Sequence, residues 1–242
     1  MVDYLKWDSE QFGYKVGKIT LCFESVVAIE TDIDFARKDG YKLIYLFQEA
    51  SESTKESKLN ERLALLGFDL VDEKVLLSRD LNIEWNNFVD ERIHPFNLNM
   101  NLDRIYSLAL QTGEYSRFHL DKNFINNEFQ SLYKIWLDNS ISGKIADQIF
   151  VSLSEDSLPT GLITLGKKGD RVDIGLLGVD QNLRGQKLGQ ALVHSAFSYT
   201  LKRDLSQIQV VTQKANKPAM AFYIKMGFRI ETITNIYHYW IK

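Results

Sequence analysis

The stretch LRGQKLGQAL, residues 183–192, lies between an apolar run at 171–180, RVDIGLLGVD, and a segment whose apolar residues recur at helical spacing. A strand that enters a helix through a glycine-containing turn leaves unpaired backbone N–H groups at the positive end of the helix dipole. Such a turn is suited to bind an anion, and a pyrophosphate fits it well. Taken alone, the stretch also permits an ordinary helix start with two packing glycines, Gly185 and Gly189.

Composition and charge describe a chain that folds throughout its 242 residues, as one large domain or two small ones. A net charge of -3 without any basic run argues against nucleic acid or an anionic membrane as a partner. Cys22 is the single cysteine, so no internal disulfide forms, and the N-terminal MVDYLKWDSE lacks the apolar core of a signal peptide. No segment approaches the roughly 20 apolar residues that cross a bilayer. We therefore expect a cytoplasmic protein.

Outward from the glycine turn, the C-terminal third of the chain predicts the order β-α-β-α-β. The segments are a strand at 171–180, a helix at 185–203, a strand at 208–213, a short helix at 216–227 stopped by Gly227, and a strand or hairpin at 229–241. The N-terminal region predicts the same order at 15–23, 31–40, 41–47, 55–68 and 69–81.

The two β-α-β-α-β regions share a short sequence echo, LLGFDLVDE at 65–73 and KMGFRIETI at 225–233. We interpret the echo as a degenerate internal duplication, with chance similarity of two helix-glycine-strand junctions as the open alternative. The N-terminal loop ESVVAIE, 24–30, contains no glycine, so this half is predicted to lack a phosphate-binding turn.

The middle of the chain adds a strand-like segment at 91–99, a helix at 101–111, a polar and aromatic loop at 112–124, a further helix, and two alternating strands at 147–155 and 161–168. The pattern predicts an α/β (α+β) protein that divides into an N-terminal region, 1–84, and a main domain, 85–242.

The order of an apolar strand, RGxxxG, a helix, a strand and Asn-x-x-Ala-x-x-x-Tyr-x-x-x-Gly-Phe resembles the GCN5-related N-acetyltransferase (GNAT) family. The residues that carry the resemblance are Val179, Arg184, Gly185, Gly189, Asn216, Ala219, Tyr223, Gly227 and Phe228. It implies a mixed sheet that splays at its centre, with the N-terminal region resembling a degenerate half of that fold. One position departs from the family pattern [QR]-x-x-G-x-[GA], because Lys187 stands where the first of those glycines is expected.

The resemblance implies acetyl-CoA as the acetyl donor and assigns the residues that would hold it. The pyrophosphate is expected at the backbone of Arg184, Gly185, Gln186, Lys187, Leu188 and Gly189, and the pantetheine arm at Leu177, Gly178 and Val179. Asn216 is expected to cap a helix and to reach the pantetheine, with a plain cap as the alternative.

Two residues are expected to act in catalysis. The Val179 N–H would polarise the thioester carbonyl, and Tyr223 would be the general acid for the departing thiolate. The alternative for Tyr223 is a core aromatic, and a shifted helix boundary would turn the adjacent Phe222 to the core instead. His119, Asp121, Glu128 and His194 are candidates for the base, and none is preferred. No metal site is predicted.

Further pieces along nearly the whole chain, among them WDSEQFGYKVG, YSRFHLD and VVTQKANKPAMAFYIKMGF, are similar to the branch of this family that acetylates the sugar amine of TDP-4-amino-4,6-dideoxyhexoses for surface polysaccharides. This similarity implies a nucleotide-sugar substrate and suggests a homodimer. Arg117 would pair with the diphosphate and Tyr115 or Phe118 would cover a base or sugar face. The expected acceptor residues are Tyr115, Arg117, Phe118, His119 and Asp121, unless this loop only anchors aromatic side chains on the sheet.

Two other functions stay open at this point. One is an N-acetyltransferase for a different amine, such as another activated sugar, an antibiotic amine or a peptide N-terminus. The other is a binding module that keeps the coenzyme turn without catalysis. Tyr223 argues against the binding module, whereas Lys187 argues weakly for it.

Overall fold

The computed structural model describes residues 1–21, 29–50, 54–85 and 87–242. The glycine-free N-terminal loop falls largely on 22–28, as does Cys22, and both therefore lie outside the described residues. The predictions made for them stay predictions.

The described residues form ten strands and eight helices. The strands are β1 (Asp3–Tyr4), β2 (Lys15–Leu21), β3 (Tyr41–Glu49), β4 (Asp69–Asp80), β5 (Ile93–Pro95), β6 (Gln148–Leu153), β7 (Pro159–Lys168), β8 (Arg171–Val179), β9 (Gln207–Gln213) and β10 (Arg229–Trp240). The helices are α1 (Lys6–Phe12), α2 (Ile29–Lys38), α3 (Thr54–Leu65), α4 (Leu102–Gln111), α5 (Arg117–Leu120), α6 (Glu128–Ile141), α7 (Leu188–Leu201) and α8 (Lys217–Lys225).

The predicted order of elements and the α/β (α+β) class are confirmed, with three corrections of detail. β1 and α1 were not predicted, because two and seven residues are too few for a periodic pattern. The loop at 112–124 contains the short helix α5. α7 begins at Leu188 rather than at 185, since Gly185 and Lys187 both have positive φ and cannot continue a helix. For the C-terminal segment, predicted as a strand or hairpin, the structure shows one strand, β10.

The chain divides into two compact units, and β4 and β10 contribute residues to both. The first unit consists of Met1–Val75, Gln213–Ala215 and Thr232–Lys242, and the second of Leu76–Thr212 and Asn216–Glu231. The boundary predicted from the sequence, between residues 84 and 85, divides the chain into two successive halves. It stays a prediction.

The first unit is built on β3, which lies between β2 and β10. β2 pairs with β3 in parallel over seven residue pairs, and Thr234 to Trp240 of β10 pair with β3 antiparallel. α2 and α3 bury their apolar faces on this sheet. The core side chains include Ile29, Ile33, Ala36, Leu59, Leu63, Ile44, Leu46 and Tyr237.

The two helix-glycine-strand junctions that are similar in sequence also share a backbone conformation. Gly67 after α3 and Gly227 after α8 both have left-handed φ, 90° and 79°. In each junction the amide of the next residue, Phe68 or Phe228, donates to the carbonyl five residues earlier, at 2.9 and 3.0 Å. These bonds satisfy carbonyls that the end of a helix leaves free. The shared geometry explains the shared sequence, and a common origin of the halves stays a prediction.

The second unit has the strand order β4-β9-β8-β7-β6-β5, in which β8 is the central element of the candidate site. β8 pairs antiparallel with β7 along its length, whereas its parallel pairing with β9 covers only Val172–Ile174 against Ile208–Val210. β8 then continues to Val179 without β9 beside it. This divergence is the central splay that the sequence resemblance implied.

A bulge marks the point where β8 leaves β9. Gly175 and Leu176 of β8 stand opposite a single β7 residue, Thr164, whose hydroxyl accepts the Leu176 N–H at 2.8 Å. Such a two-against-one arrangement bends a strand and increases its twist. α4, α6 and α7 complete the core of this unit. Their buried apolar side chains include Ile105, Leu108, Leu132, Leu137, Leu192 and Phe197.

We expect Gly178→Ala to destabilise the protein by about 1–3 kcal/mol, because the added methyl group overpacks a filled site. It would lie 2.7 Å from Thr112 Cγ2 and 3.0 Å from the Leu108 carbonyl oxygen, at the end of α4. Gly189→Ala is the matched control, since its nearest neighbour would be Phe222 Cζ at 3.6 Å. Urea unfolding of both variants measures the difference, and equal midpoints would show that α4 does not approach β8 this closely.

Candidate active site

The end of β8 presents backbone groups that no strand covers. Asp180 donates its N–H to the Thr160 carbonyl at 2.8 Å, so Asp180 and Thr160 are a hydrogen-bonded pair of the ladder between β8 and β7. Because such pairs alternate along an antiparallel ladder, Gly178 also bonds β7, while the N–H and C=O groups of Leu177 and Val179 face the opposite side. β9 has diverged on that side. Leu177 and Val179 can therefore offer a strand edge to a ligand, whereas Gly178 permits the approach of α4.

Asp180 fixes the residues that follow β8. Its buried carboxylate pairs with Arg104 of α4 and accepts the Asn182 N–H at 2.8 Å, which begins a short 3-10 turn at Gln181–Leu183. Gln111 of α4 accepts the Gln181 N–H at 3.1 Å. These contacts hold the entry to the glycine turn against α4. These contacts could not be predicted from local sequence patterns, because Arg104 and Asp180 are 76 residues apart.

The turn at 184–189 has the backbone geometry of an anion site. The backbone angle φ is +85° at Gly185 and +62° at Lys187, whereas φ of Gln186 between them is not positive. Alternation of this kind turns successive N–H groups toward one concave side. Space is open beside Gly185, where an added Cβ would have no neighbour within 4 Å. α7 then begins without an acidic residue in its first turn and without a side-chain cap. Its first N–H groups stay available, and the turn fits a phosphate.

Lys187 occupies the left-handed conformation for which a glycine is favoured. The departure from the family pattern therefore changes the side chain and preserves the backbone path. Arg184 is the neighbouring cation, and its Nε donates to the Val179 carbonyl at 3.4 Å. The two cationic side chains, Arg184 and Lys187, are exposed beside the turn.

α8 brings Asn216 and Tyr223 to the same unit. Asn216 caps the helix as expected, because its side-chain oxygen accepts the Ala219 N–H at 3.1 Å. Tyr223 is buried, with its ring 5.5 Å from that of Phe228. The helix boundary thus turns Tyr223, and not Phe222, to the interior.

Phe222 is a residue of this site that the sequence interpretation missed. Its ring lies 3.6 Å from the position that a Cβ on Gly189 would take, and Val179 Cγ2 lies 3.7 Å from that same position. Val179, Gly189 and Phe222 therefore meet, and they join the end of β8, the start of α7 and the middle of α8. The sequence signal was a second aromatic residue, Phe222, directly before Tyr223 in the same helix.

Burial raises the pKa of the Tyr223 phenol above its ordinary value. Burial is the only cause of this shift, to which no charge and no hydrogen bond contributes. A phenol with a raised pKa stays protonated at neutral and mildly alkaline pH, so Tyr223 keeps an O–H that can donate a hydrogen bond there.

Arg79 of β4 fixes the other end of α8. Its guanidinium donates to the Met226 carbonyl, at the negative end of the helix dipole, and lies over the rings of Phe197 (4.6 Å) and Trp85 (5.5 Å). Burial lowers the pKa of Arg79. The contact orients the helix that carries Tyr223, and sequence analysis could not find it across 147 residues.

Three of the four candidate bases are engaged elsewhere. The His194 ring packs on Trp85 and Phe88 at 4.3 and 4.9 Å, and burial together with Arg79 lowers the pKa of His194. The buried Glu128 carboxylate accepts the Asn126 N–H at 2.7 Å. Asp121 accepts the Asn123 N–H at 2.9 Å. The last two carboxylates order their own loops.

His119, the fourth candidate, borders a groove of about 550 Å³ beside α4. The lining residues are Asp103, Tyr106, Ser107, Leu110, Gln111, Glu114, His119 and Phe129. Of the five expected acceptor residues, only His119 lines this groove. Phe118 is buried against Phe124 at 5.4 Å, and the Arg117 guanidinium lies 4.3 Å over the Phe118 ring. For Phe118, this packing favours the alternative of an aromatic anchor.

Comparison with known proteins assigns the chain to a family. The model of the acetyltransferase (GNAT) family matches residues 105–228, which is more than half of the chain. The protein therefore belongs to the GNAT family and is an N-acetyltransferase, as the sequence resemblance indicated. Acetyl-CoA is the donor that this family generally uses. None of the helices in the described ranges is long and apolar enough to cross a membrane.

Sequence identity to individual relatives is low. The chain is 22% identical to dTDP-fucosamine acetyltransferase of Escherichia coli O6:H1 over 99% of this chain and 96% of that protein. It is 31% identical to the uncharacterized protein YxbD of Bacillus subtilis over 81 residues, which are 34% of this chain and half the length of that relative. A GCN5-related N-acetyltransferase from Sphaerobacter thermophilus has the same fold, with a TM-score of 0.63 and 12% identity over 100% of this chain and 76% of that one.

We expect Lys187→Gly to stabilise the protein by about 0.5–1 kcal/mol, because a lysine in the left-handed region is strained and a glycine is not. Gln190→Gly, on the exposed first turn of α7, is the control and should lower stability by up to about 1 kcal/mol. Chemical denaturation measures both changes. Destabilisation by both glycines would mean that Lys187 does not hold a left-handed conformation.

Proposed function

We propose that this protein transfers the acetyl group of acetyl-CoA directly to the sugar amine of a nucleotide-linked amino-dideoxyhexose of the TDP-4-amino-4,6-dideoxyhexose class. The alignment with dTDP-fucosamine acetyltransferase along 99% of the chain carries the substrate part of the proposal. Membership of the GNAT family supports the reaction type.

The donor would lie along β8 and α7. The concave N–H groups between Gly185 and Gly189 would bind the pyrophosphate, which also gains from the dipole of α7 and from the charges of Arg184 and Lys187. The pantetheine arm would pair with Leu177 and Val179 as an added strand, in the gap that β9 leaves. Asn216, at the start of α8, would contact the same arm.

Acyl transfer needs a neutral amine, a stabilised oxyanion and a proton donor near the leaving sulfur. The amine nitrogen forms a bond to the thioester carbon, and the carbon–sulfur bond breaks from a tetrahedral intermediate. The Val179 N–H would hold the oxyanion. Tyr223 would donate to the sulfur, which leaves as the thiol of CoA. The nitrogen loses one proton and the sulfur gains one, so the reaction balances without a covalent enzyme intermediate.

The acceptor would occupy the groove beside α4. Its volume of about 550 Å³ lies within the range of small-molecule sites. Gln111 lines the groove and bonds the backbone immediately after β8, so the groove adjoins the proposed acyl site. His119 is the candidate base whose side chain lines it, and the proposal places proton removal there.

The charges of the groove favour a second candidate function, acetylation of a different cationic amine. Asp103 and Glu114 line the groove, and its lining contains no lysine or arginine that would pair with a diphosphate. Two carboxylates attract an ammonium group. An acceptor without phosphate therefore competes with the nucleotide sugar.

Release of CoA thiol from acetyl-CoA, measured with a panel of acceptors, tests the substrate. The panel contains TDP-4-amino-4,6-dideoxygalactose, its glucose epimer, their UDP counterparts and several simple amines. We expect turnover with a nucleotide sugar and little with simple amines. Turnover with the simple amines alone would replace the substrate class and keep the reaction. Bound CoA without turnover of any acceptor would favour the binding module.

We expect Tyr223→Phe to lower kcat by about 10²-fold, because a positioned acid contributes about 10²- to 10⁴-fold and a thiolate already leaves moderately well. CoA affinity by calorimetry should stay nearly unchanged. Tyr199→Phe removes a phenol from another face of the unit, where its ring contacts Phe150, and serves as the control. A kcat for Tyr223→Phe equal to that of the control would remove Tyr223 from the mechanism.

A further inference from the structure

Arg92, next to β5, contacts the glycine turn from outside. One guanidinium nitrogen, Nη1, donates to the Gln186 carbonyl at 3.3 Å. The other two donate to the Asp90 carboxylate at 2.9 and 2.8 Å, and the Arg92 backbone N–H donates to the same carboxylate at 3.1 Å. Asp90 therefore fixes the guanidinium in a fork geometry, with one nitrogen left for the turn.

The bond to Gln186 fixes the plane of one peptide group. In a trans peptide the carbonyl and the following N–H point in opposite directions, and the chain has no cis peptide among its described residues. Holding the Gln186 carbonyl toward Arg92 thus directs the Lys187 N–H away from Arg92. It also keeps the carbonyl oxygen, a negative group, out of the concave N–H side of the turn.

The backbone strain at Lys187 favours rotation of this peptide group. Its φ of +62° is strained for a residue with a Cβ. Rotation of the 186–187 peptide by about 180° would return φ of Lys187 to the negative, relaxed region. The same rotation would replace an N–H by a carbonyl oxygen on the anion side. A glycine at 187 would have no such strain.

We propose that Arg92 is a positioning residue for the coenzyme, which holds the 186–187 peptide in its anion-binding orientation and so offsets the lysine at the family's glycine position. The inference rests on the proposed function, in which this turn holds the pyrophosphate of acetyl-CoA. The inference itself concerns Arg92, which lies outside the sequence motifs that define the turn.

The charge of Arg92 is neutralised locally. Asp90 raises the pKa of Arg92, and Arg92 lowers the pKa of Asp90, so the pair is charged on both sides and has no net charge at neutral pH. Arg92 therefore acts on the shape of the turn and not by attraction of a distant phosphate. Its effect on coenzyme binding should be nearly independent of salt, whereas long-range attraction would be screened.

Arg92→Met keeps the side-chain stem and removes the guanidinium. We expect calorimetry with CoA to show about five- to tenfold weaker binding, the scale of one lost hydrogen bond of typical net strength. Because Arg92→Met leaves the Asp90 carboxylate unpaired, salt dependence is measured in the double variant Asp90→Asn with Arg92→Met, which keeps the net charge of the pair. Its loss of affinity should be equal in about 0.05 M and about 0.5 M NaCl. In turnover assays, KM for acetyl-CoA should rise while kcat at saturation changes less than about twofold. Arg92→Lys keeps one donor and should give an intermediate affinity, which supplies a second variant if Arg92→Met folds poorly.

A double-mutant cycle with Lys187→Gly distinguishes positioning from general structural support. Lys187→Gly alone removes the lysine charge as well as the strain, so it is the reference for the second half of the cycle. Against that reference, adding Arg92→Met should change CoA affinity little, because glycine removes the strain that drives the peptide to rotate. S-acetylpantetheine, which lacks the pyrophosphate, should be used equally well by Arg92→Met and the original protein.

Three outcomes would overturn the inference. Unchanged CoA affinity in Arg92→Met would exclude any role in the turn. An equal loss on adding Arg92→Met to the original protein and to Lys187→Gly would mean that Arg92 only supports the local fold. A loss in Asp90→Asn with Arg92→Met that disappears at high salt would mean that Arg92 attracts the phosphates directly. If the original protein does not bind CoA at all, the proposed donor itself is wrong.

Discussion

The brief pairing of β8 with β9 is the constraint on which the candidate site depends. Three residue pairs join the strands, and the bulge at Gly175 and Leu176 then directs β8 away from β9. Backbone N–H and C=O groups inside a folded protein require partners. At Leu177 and Val179 those partners cannot come from β7, which bonds the alternate residues, or from β9, which has departed. The fold thereby leaves a short strand edge open to a ligand with amide groups of its own, and the start of α7 lies immediately beyond it.

The first unit shows that the order β-α-β-α-β alone does not create such an edge. β2 pairs with β3 through seven residue pairs and β10 pairs with the other side of β3, so the ladder on β3 is closed on both sides. The helix-glycine-strand junction, by contrast, recurs with the same left-handed glycine and the same hydrogen bonds. The two halves are thus most alike at the helix-glycine-strand junction, which any helix can use. They are least alike at the strand pair that would define a site. The duplication of the two halves stays a prediction.

Local signals made most of the fold predictable from the sequence. Periodicity placed the longer helices and strands, Asn216 was recognisable as a cap, and Gly227 as a stop. The glycine turn was located through its residues, but its helix starts three residues later than periodicity indicated, because φ at Gly185 and Lys187 cannot be seen in a pattern of apolar residues. Contacts between distant segments were not predictable for a similar reason. Arg92 and Gln186 are 94 residues apart, and an arginine beside an aspartate resembles an ordinary surface ion pair until the turn is seen next to it.

The environment of Tyr223 limits what a phenol can do in the proposed reaction. Burial raises its pKa above the ordinary value near 10, whereas an alkyl thiol has a pKa of about 8.5, so complete proton transfer from the phenol to the departing thiolate is uphill. A hydrogen bond from the neutral phenol to the sulfur carries no such penalty, and it strengthens as negative charge develops on the sulfur. The proton that finally resides on the thiol can come from the substrate nitrogen, which must lose one. Burial suits this role, because a neutral donor can be withdrawn from water at far lower cost than a charged acid. Arg79 contributes by fixing the far end of α8, since a hydrogen bond to a developing charge is effective only while its donor stays in place.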